Sequence, residues 1–268
     1  MKKSRGQTQT PGGNRLRTLR DDCRRTQLDV ELDASLGIGY LQRVESGKVR
    51  YPERDTLERI LAALGAHYTE RAEILELFGY LVDTPLPDER EIERAVEICR
   101  AELSEAVFPA YLLDCANHLL AWNACFARLF QVERFDGRLS MVRLMFDPSY
   151  GITGRIANPD EFFPAQIRAL RYQMRLFRGE SWYAPLIDDL YRCCPLFRLY
   201  WEQAGESPSL AARPLIPFVI TLPDGESGRD GLRFRLTSEP FAQDRRFRMI
   251  YYLPADPVTT QQCIAWMI

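Results

Sequence analysis

The chain has 268 residues, of which 46% are hydrophobic and 27% charged, a composition typical of a globular protein with about two domains. It contains no apolar run of 18 residues, and its first residues lack the apolar segment of a signal peptide, so we expect a cytoplasmic protein without membrane association. The seven cysteines form no C-x-x-C pair and only two histidines are present. We therefore expect free thiols, no metal site and no cofactor.

Charge is unevenly distributed along the chain, although the net charge is only −2. Residues 1–54 carry 12 Lys and Arg against 7 Asp and Glu, whereas residues 55–105 carry 5 against 13. The basic excess lies in the N-terminal segment, which is where we expect a polyanion to bind. Residues 1–13 are predicted to form a flexible arm ahead of the first domain.

Apolar residues recur at helical spacing through residues 14–82 and predict an all-α domain of five short helices. Thr26 is a suitable N-cap for the second helix. The third helix is predicted from about Ile38 to Glu45. Thr69 is predicted to cap the fifth.

The third helix has one apolar and one polar face. With Gly37 as its N-cap, Leu36 and Leu41 would form a hydrophobic staple, and Leu41 and Val44 would face inward. The outer face would consist of Ile38, Gly39, Gln42 and Arg43. Such a face suits the major groove of DNA, where Arg reads guanine and Gln reads adenine. The spacing alone, however, favours the solvated face of an ordinary helix bundle.

The segment TQLDVELDASLGIGYLQRVESGK resembles the helix-turn-helix of the phage-repressor family, also called XRE or Cro/C1-type. The resemblance extends from Leu16 to Gly65 and implies binding to double-stranded DNA. It also implies that Arg20 and Glu45 form a semi-buried ion pair. Together with the outward-facing Gln42, the residues expected at the DNA are Gln27, Ile38, Gly39, Arg43, Ser46, Lys48 and Arg50.

Two residues depart from the pattern of that family. Glu31 stands where a small Ala is usual, and we expect it to loosen the packing of the second helix on the third. Ser35 stands where Gly is usual and must adopt a helix-ending conformation that Gly adopts more easily. Gly39 offers no side chain for base readout.

Residues 83–106 combine a Pro-rich break with an acidic amphipathic helix of about 18 residues, interpreted as a linker or a dimer contact. Residues 107–268 then show two short β-rich runs, several helices and three further strands, which predicts an α+β domain. The runs AYLLD and HLLAWN, separated by CAN, predict a hairpin, and one long helix is predicted across WYAPLIDDLYRCCPLFRLYWEQ. The three further strands are predicted in RPLIPFVITL, GLRFRLTSEPF and RRFRMIYYLP, the first two separated by the loop PDGESGRDG. We expect a five-stranded antiparallel sheet with its helices on one face. In the last strand Phe247, Met249 and Tyr251 are predicted to form a single buried face, opposite Arg246, Arg248 and Ile250. The stretch TTQQCIAWM is predicted to be an extra strand or a tail.

The C-terminal part resembles the MmyB-like transcription regulators, whose ligand-binding domain is PAS-like. The resemblance extends from Phe108 to about Pro254, through PAYLLDCANHLLAWNACFARLF, MVRLMFDP and CCPLFRLYWEQ. It implies an elongated apolar pocket and a fatty-acid-like ligand. Aromatic and Met side chains are more numerous here than one sheet needs, although each alone is more often a core residue. The predicted apolar contacts are Trp122, Phe126, Phe130, Met145, Phe146, Met174, Phe177, Trp182, Phe197 and Trp201.

A fatty-acid carboxylate would need a cation or hydrogen-bond donors in the pocket. Arg171 matches the family at this position and lies on a helix with Leu170 and Met174, so it is the predicted anchor. Arg143 and Arg175 are the alternatives, and each is more often a plain surface charge.

These patterns predict a ligand-responsive, sequence-specific transcription regulator that acts as a homodimer. Two recognition helices about 34 Å apart match successive major grooves, and one module rarely gives enough specificity alone. The alternative is a repressor whose C-terminal domain is only a dimerisation or protein-interaction platform. An enzyme tethered to DNA is disfavoured, because that domain contains no G-x-S-x-G, H-E-x-x-H, P-loop or dinucleotide fingerprint. We expect no catalytic residues.

Overall fold

The computed structural model describes residues 10–132, 139–204, 216–222 and 231–267. The chain divides into two compact units, the first ending at Asp83 and the second beginning at Thr84. Residues 223–230 of the loop PDGESGRDG and part of the strand expected from RPLIPFVITL fall outside the described residues. Within the described ranges, no helix combines the length and the apolar character that crossing a bilayer requires.

The first unit is a bundle of five helices, which confirms the all-α prediction. The helices are α1 (Pro11–Asp22), α2 (Gln27–Asp33), α3 (Tyr40–Glu45), α4 (Arg54–Ala63) and α5 (Tyr68–Leu77). Their periodic apolar residues meet in one core that includes Leu16, Leu19, Val30, Leu41, Val44, Leu57, Ile60, Leu61, Ile74 and Leu75. All ten side chains are at most 2% exposed, so packing rather than propensity holds these short helices together.

The first helix begins within the segment predicted to be a flexible arm. Thr10 caps α1 by accepting a hydrogen bond from the backbone N–H of Gly13 at 3.2 Å, and Pro11 occupies the first helical turn, where its missing N–H is harmless. A Cβ at Gly13 would lie 2.7 Å from the carbonyl oxygen of Val44. Residues 10–13 are therefore a packed helix start, because the bare backbone lets α1 approach α3.

Two other helix starts differ from the prediction. Helix α3 begins at Tyr40, since its N-cap is Gly39 with φ +81°, so Leu41 occupies the second helical position and the staple predicted from Gly37 is wrong. Helix α5 begins before Thr69, because His67 is its N-cap and donates its backbone N–H to the Glu70 carboxylate at 3.0 Å.

The second unit contains a five-stranded antiparallel sheet, as predicted. Its strands are β1 (Ala110–Asp114), β2 (Leu119–Trp122), β3 (Phe218–Ile220), β4 (Leu232–Pro240) and β5 (Phe247–Pro254), in the spatial order β2-β1-β5-β4-β3. Its helices are α6 (Glu89–Glu105), α7 (Ala124–Phe130), α8 (Met141–Phe146), α9 (Pro159–Met174), α10 (Tyr183–Cys193), α11 (Pro195–Gln203) and α12 (Pro257–Ala265).

Helix α6 is not a free linker. It buries Ala95, Cys99 and Leu103 against the face of β1 and β5 that carries Leu112 and Met249. Near its N-terminus, Glu91 accepts two hydrogen bonds from the guanidinium of Arg246, at 2.7 and 3.0 Å. The amphipathic pattern of α6 therefore reflects packing on the sheet, which makes the helix part of the second unit.

Both faces of β1 and β5 are covered, so the prediction of helices on one face is wrong. Phe247, Met249 and Tyr251 pack towards α6, whereas Ile250 and Tyr252 belong to the larger core beneath α7–α11. Arg246, expected on a polar face, is 2% exposed because Glu91 and Asp244 pair with it. A strand buried on both sides carries no simple apolar–polar alternation.

Two C-terminal elements also differ from expectation. The long helix predicted across the CCP sequence is divided into α10 and α11, because Pro195 follows Cys194, whose φ of −124° and ψ of 86° lie outside the helical region. The stretch TTQQCIAWM lies mostly in helix α12, which is capped by Asp256; Cys263 within the helix and Trp266 directly after it pack into the core. It is neither a strand nor a tail.

Candidate functional sites

Helix α3 is held to the bundle by one face and exposes the other. Leu41 and Val44 are fully buried, as predicted, whereas Gln42 and Arg43 are exposed. The Arg43 guanidinium lies 5.5 Å from the centre of the Tyr40 ring, a cation–π distance that holds it close to the helix surface. Ile38 lies in the turn before α3 and is 80% exposed.

The buried carboxylate of Glu45 fastens α3 to α1 and α2. Arg20 donates to both carboxylate oxygens of Glu45, at 2.7 and 3.2 Å, and this pair raises the pKa of the Arg20 guanidinium. Gln27 donates at 2.7 Å and Arg17 at 3.4 Å to the same carboxylate. We call Glu45 with these three donors the Glu45 network. The ion pair implied by the helix-turn-helix resemblance is therefore present.

Glu31 caps the N-terminus of α3, contrary to the expectation that it loosens the packing there. Its carboxylate is 2% exposed and accepts the backbone N–H of Gly39 at 2.9 Å and of Leu41 at 2.8 Å. The first N–H groups of a helix have no partner within the helix, and Gly39 has no side chain with which to cap them. Glu31 therefore fixes the start of α3 from the neighbouring helix.

We expect Glu31→Ala to lower the free energy of unfolding of the first unit by about 1–3 kcal/mol, because the Gly39 and Leu41 N–H groups would lose their acceptor. Glu31→Gln should lower the free energy of unfolding by less, since its amide oxygen can still accept one of these hydrogen bonds. Urea unfolding followed by circular dichroism measures both. Equal stability of wild type and the Ala variant would contradict the capping role.

Ser35 adopts the left-handed conformation expected of it, with φ +53° after the end of α2. Its backbone N–H still closes the turn on Leu32, at 3.1 Å.

The residues expected at the DNA fall into two groups. Ile38, Gln42, Arg43, Lys48 and Arg50 are exposed, and Gly39 is partly exposed between them. Gln27 is engaged in the Glu45 network, and Ser46 is buried with its hydroxyl donating to the Arg43 carbonyl at 3.3 Å. The structure thus leaves α3 and the segment after it as the accessible part of the predicted surface.

The second unit encloses a cavity of about 360 Å³ between the sheet and helices α8 and α9. Tyr111, Ile250 and Tyr252 form its sheet side, and Met141 and Phe162 are among the residues contributed by the helices. Tyr172 and Ser238 also line it and are exposed, so the cavity opens to the surface between α9 and β4. Its size and mainly apolar walls are typical of a small-molecule pocket, for which the usual range is about 300–1,000 Å³.

Of the predicted apolar contacts, Met145 and Phe146 line this cavity. The others fill the surrounding core or its margin, where neighbouring aromatic rings are tilted or stacked against one another: Phe126, Phe130, Met174, Phe177, Trp182, Phe197 and Trp201. Trp122 lines a second groove beside α6 and α12. Most of the aromatic surplus therefore builds the core around the cavity.

Arg171, the predicted anchor, is not among the residues that line the cavity. Its guanidinium donates to the Trp201 carbonyl at 2.8 Å and lies 4.7 Å from the centre of the Trp201 ring, which ties α9 to α11. Arg175 lies over the Tyr172 ring, and Arg143 is near Asp147 and Asp189. Neither alternative lines the cavity.

Polar cavity residues that the sequence analysis missed are Arg248, Asn117 and Gln166. Arg248 donates from Nη2 to the Asn117 side-chain oxygen, while its Nε and the Gln166 Nε2 have no partner among the described residues. Arg248 sits in a strand between Phe247 and Met249, where alternation suggested an outward polar side chain. The cavity behind the sheet is a tertiary feature with no local signal.

One cluster of possible metal ligands occurs in the described part of the chain, where no metal site is expected. Ligand atoms of Asp147, Cys193 and Cys194 lie within 4.8 Å of one another. Burial raises the pKa of the Cys194 thiol, which keeps it in the poorly ligating protonated form. Arg143 Nε lies 4.0 Å from the Asp147 carboxylate, so a positive charge is already present. These features disfavour a metal cation.

Two family models match the chain. The model described as MmyB-like transcription regulator ligand binding domain matches residues 103–263, which is more than half of the chain and includes the whole cavity lining. The model described as helix-turn-helix domain matches residues 13–74, which include α3 and the Glu45 network. None of the curated proteins compared with the chain matches it.

Proposed function

The chain belongs to the MmyB-like transcription regulators, and from this premise we propose that its second unit binds an elongated ligand of the fatty-acid type. The protein combines a helix-turn-helix DNA-binding domain with a ligand-binding domain and is a ligand-responsive transcription regulator. The finer assignments are the ligand class, the DNA contacts and the homodimer.

The observation that carries the ligand class is the mainly apolar cavity between the sheet and helices α8 and α9. Burial of an alkyl chain contributes at most about 0.8 kcal/mol per CH₂ group, so a chain of about twelve carbons gives micromolar affinity after ordering costs. The opening between Tyr172 and Ser238 provides an entrance. A long, narrow amphiphile fits such a site better than a compact polar metabolite.

For DNA, we propose that α3 enters the major groove with Arg43 and Gln42 towards base edges. Lys48 and Arg50 follow α3, are exposed and are suited to phosphates. Gln27 and Ser46 act through the placement of α3 in this proposal, because their side chains are already bonded within the unit. A homodimer would place two such helices on one operator.

Arg43→Ala is expected to reduce affinity for the operator by about 1–3 kcal/mol and to relax discrimination at one base position. Lys48→Ala should weaken binding to all sequences alike and lower the slope of log affinity against log salt by about one unit. Fluorescence anisotropy with an operator selected from a random library, repeated at several salt concentrations, measures both. Equal and sequence-independent losses for the two variants would contradict the assignment.

Native mass spectrometry of the purified full chain tests the ligand class and the homodimer together. We expect a dimer that carries a co-purified long-chain amphiphile. Saturating ligand should then change operator affinity by about 5- to 150-fold, the usual range of allosteric coupling. A ligand-free dimer whose DNA affinity no amphiphile alters would instead favour a repressor whose second unit is a dimerisation or protein-interaction platform.

A further inference from the structure

Arg248 is a cation in the cavity wall that forms no ion pair with any described residue. The residues that line the cavity include Arg248 but, across the part of the chain that the structure describes, no Asp or Glu. Within the described ranges, the guanidinium donates from Nη2 to the side-chain oxygen of Asn117, and its Nε has no partner. Asn117 is 5% exposed and donates its own Nδ2 to Met174 Sδ at 3.5 Å, so its oxygen is directed to Arg248.

Asp114, the acidic residue nearest to Arg248 in the pairing of β1 with β5, already has other hydrogen-bond partners. Arg248 pairs across the ladder with Leu113, and the next residue of β1 is Asp114. The Asp114 carboxylate is fully buried and bonds the His118 ring at 2.8 Å and the backbone N–H groups of Ala116 and His118. It therefore turns towards the β1–β2 hairpin: its charge is felt by Arg248, but among the described residues the two groups form no ion pair.

Arg248 is half-buried, but its Nε is buried, and a buried N–H of a charged group without an acceptor is energetically unfavourable. The surroundings of Arg248 lower the pKa of its guanidinium through burial, yet arginine remains protonated at any physiological pH. The second unpartnered polar group in the cavity wall, Nε2 of Gln166, is also a donor. Both buried polar atoms of the lining that have no described partner are thus hydrogen-bond donors, which favours a ligand with acceptor atoms and negative charge.

We propose that Arg248 is the anchor of this cavity and forms an ion pair with the carboxylate of the ligand, with Asn117 as the positioning residue for the guanidinium. Gln166 supplies a further donor to the same ligand. This inference rests on the proposed fatty-acid-type ligand and adds to it the residues that hold its head group. It also moves the anchor from α9, where Arg171 is stacked on Trp201, to strand β5.

The test compares dodecanoate with dodecanol, which share the alkyl chain and differ in charge, by isothermal titration calorimetry on the full chain below their aggregation concentrations. Wild type should bind dodecanoate more tightly. Arg248→Met, which keeps an unbranched apolar stem and removes the charge, should weaken binding of dodecanoate about 10- to 100-fold and binding of dodecanol less than about twofold. Arg248→Lys should recover part of the preference. Arg235→Met removes an exposed Arg from β4 and should change neither affinity.

Each result separates this inference from the proposed function. If Arg248→Met loses the same factor of affinity for dodecanoate and dodecanol, or loses none for either, Arg248 is not the anchor. The proposed apolar pocket would be unaffected by either result. If wild type binds neither probe, the ligand class itself is wrong and the inference is overturned with it. Should Arg248→Met fold poorly, the ratio of dodecanoate affinity to dodecanol affinity is measured for Arg248→Lys and Gln166→Leu instead. A lower ratio than in wild type supports the anchor, whereas a purely structural role would leave the ratio unchanged and overturn it.

Discussion

Glu45→Gln is expected to lower the free energy of unfolding of the first unit by about 3 kcal/mol, the lower end of the range for breaking a buried ion pair. Glutamine keeps the shape of the side chain but removes the charge that Arg20, itself only 9% exposed, requires. Asp21 retains one contact with Arg20 at 2.7 Å and limits the loss. For a unit of this size the melting temperature should fall by about 12–24 °C.

The four tryptophans make this measurement selective, because Trp122, Trp182, Trp201 and Trp266 all lie in the second unit. Far-ultraviolet circular dichroism should show an early transition that tryptophan fluorescence does not. Glu73→Gln is the matched control. Its ion pair with Arg15 is also 2.8 Å long, but the two side chains are 28% and 50% exposed, so the expected loss is below about 1 kcal/mol. Lost DNA affinity at an unchanged melting temperature would show that Glu45 acts at the DNA instead.

Ala169→Trp is expected to abolish the stabilisation that a long-chain amphiphile gives to the second unit. Ala169 lines the cavity from α9, and an indole placed there occupies the space that an alkyl chain needs. Ligand at about 100 times its dissociation constant should stabilise the wild-type unit by about 2.7 kcal/mol. The variant should retain the fold and lose that entire shift.

Tryptophan fluorescence during thermal unfolding, with dodecanoate varied over several concentrations, follows the effect. The wild-type melting temperature should rise with the logarithm of ligand concentration. Ala101→Trp places the same side chain at an exposed position of α6 and should preserve the shift. A ligand-dependent shift that survives in Ala169→Trp would place the ligand outside this cavity.

The elements that local patterns specify were predictable. Leu41 and Val44 follow helical spacing and are buried, Thr26 caps α2 with Asp29, and the β1–β2 hairpin forms at the predicted CAN turn. The Pro195 break between α10 and α11 had its own local signal, which the apolar stripe on either side outweighed. These features depend on residues within a few positions of one another.

The errors involve contacts between distant segments. Glu31 as a cap depends on α2 meeting the start of α3, and Arg248 depends on which side of a doubly buried strand faces the cavity. The amphipathic pattern of α6 is the same for a spacer, a dimer contact or a helix on a sheet. Composition indicated many aromatic residues but could not distinguish those that border an empty space from those that fill the core.

The two-sided burial of β1 and β5 gives these strands a mechanical property. Successive side chains of a strand point in opposite directions, so Ile250 and Tyr252 line the cavity while Met249 and Tyr251 lie beneath α6. The backbone of these strands therefore lies directly between the cavity and helix α6. A ligand that displaced the cavity side of these strands would also shift the backbone on which α6 packs, and α6 is the first helix of the second unit. Occupancy of the cavity would thus affect α6 without any contact between the ligand and that helix.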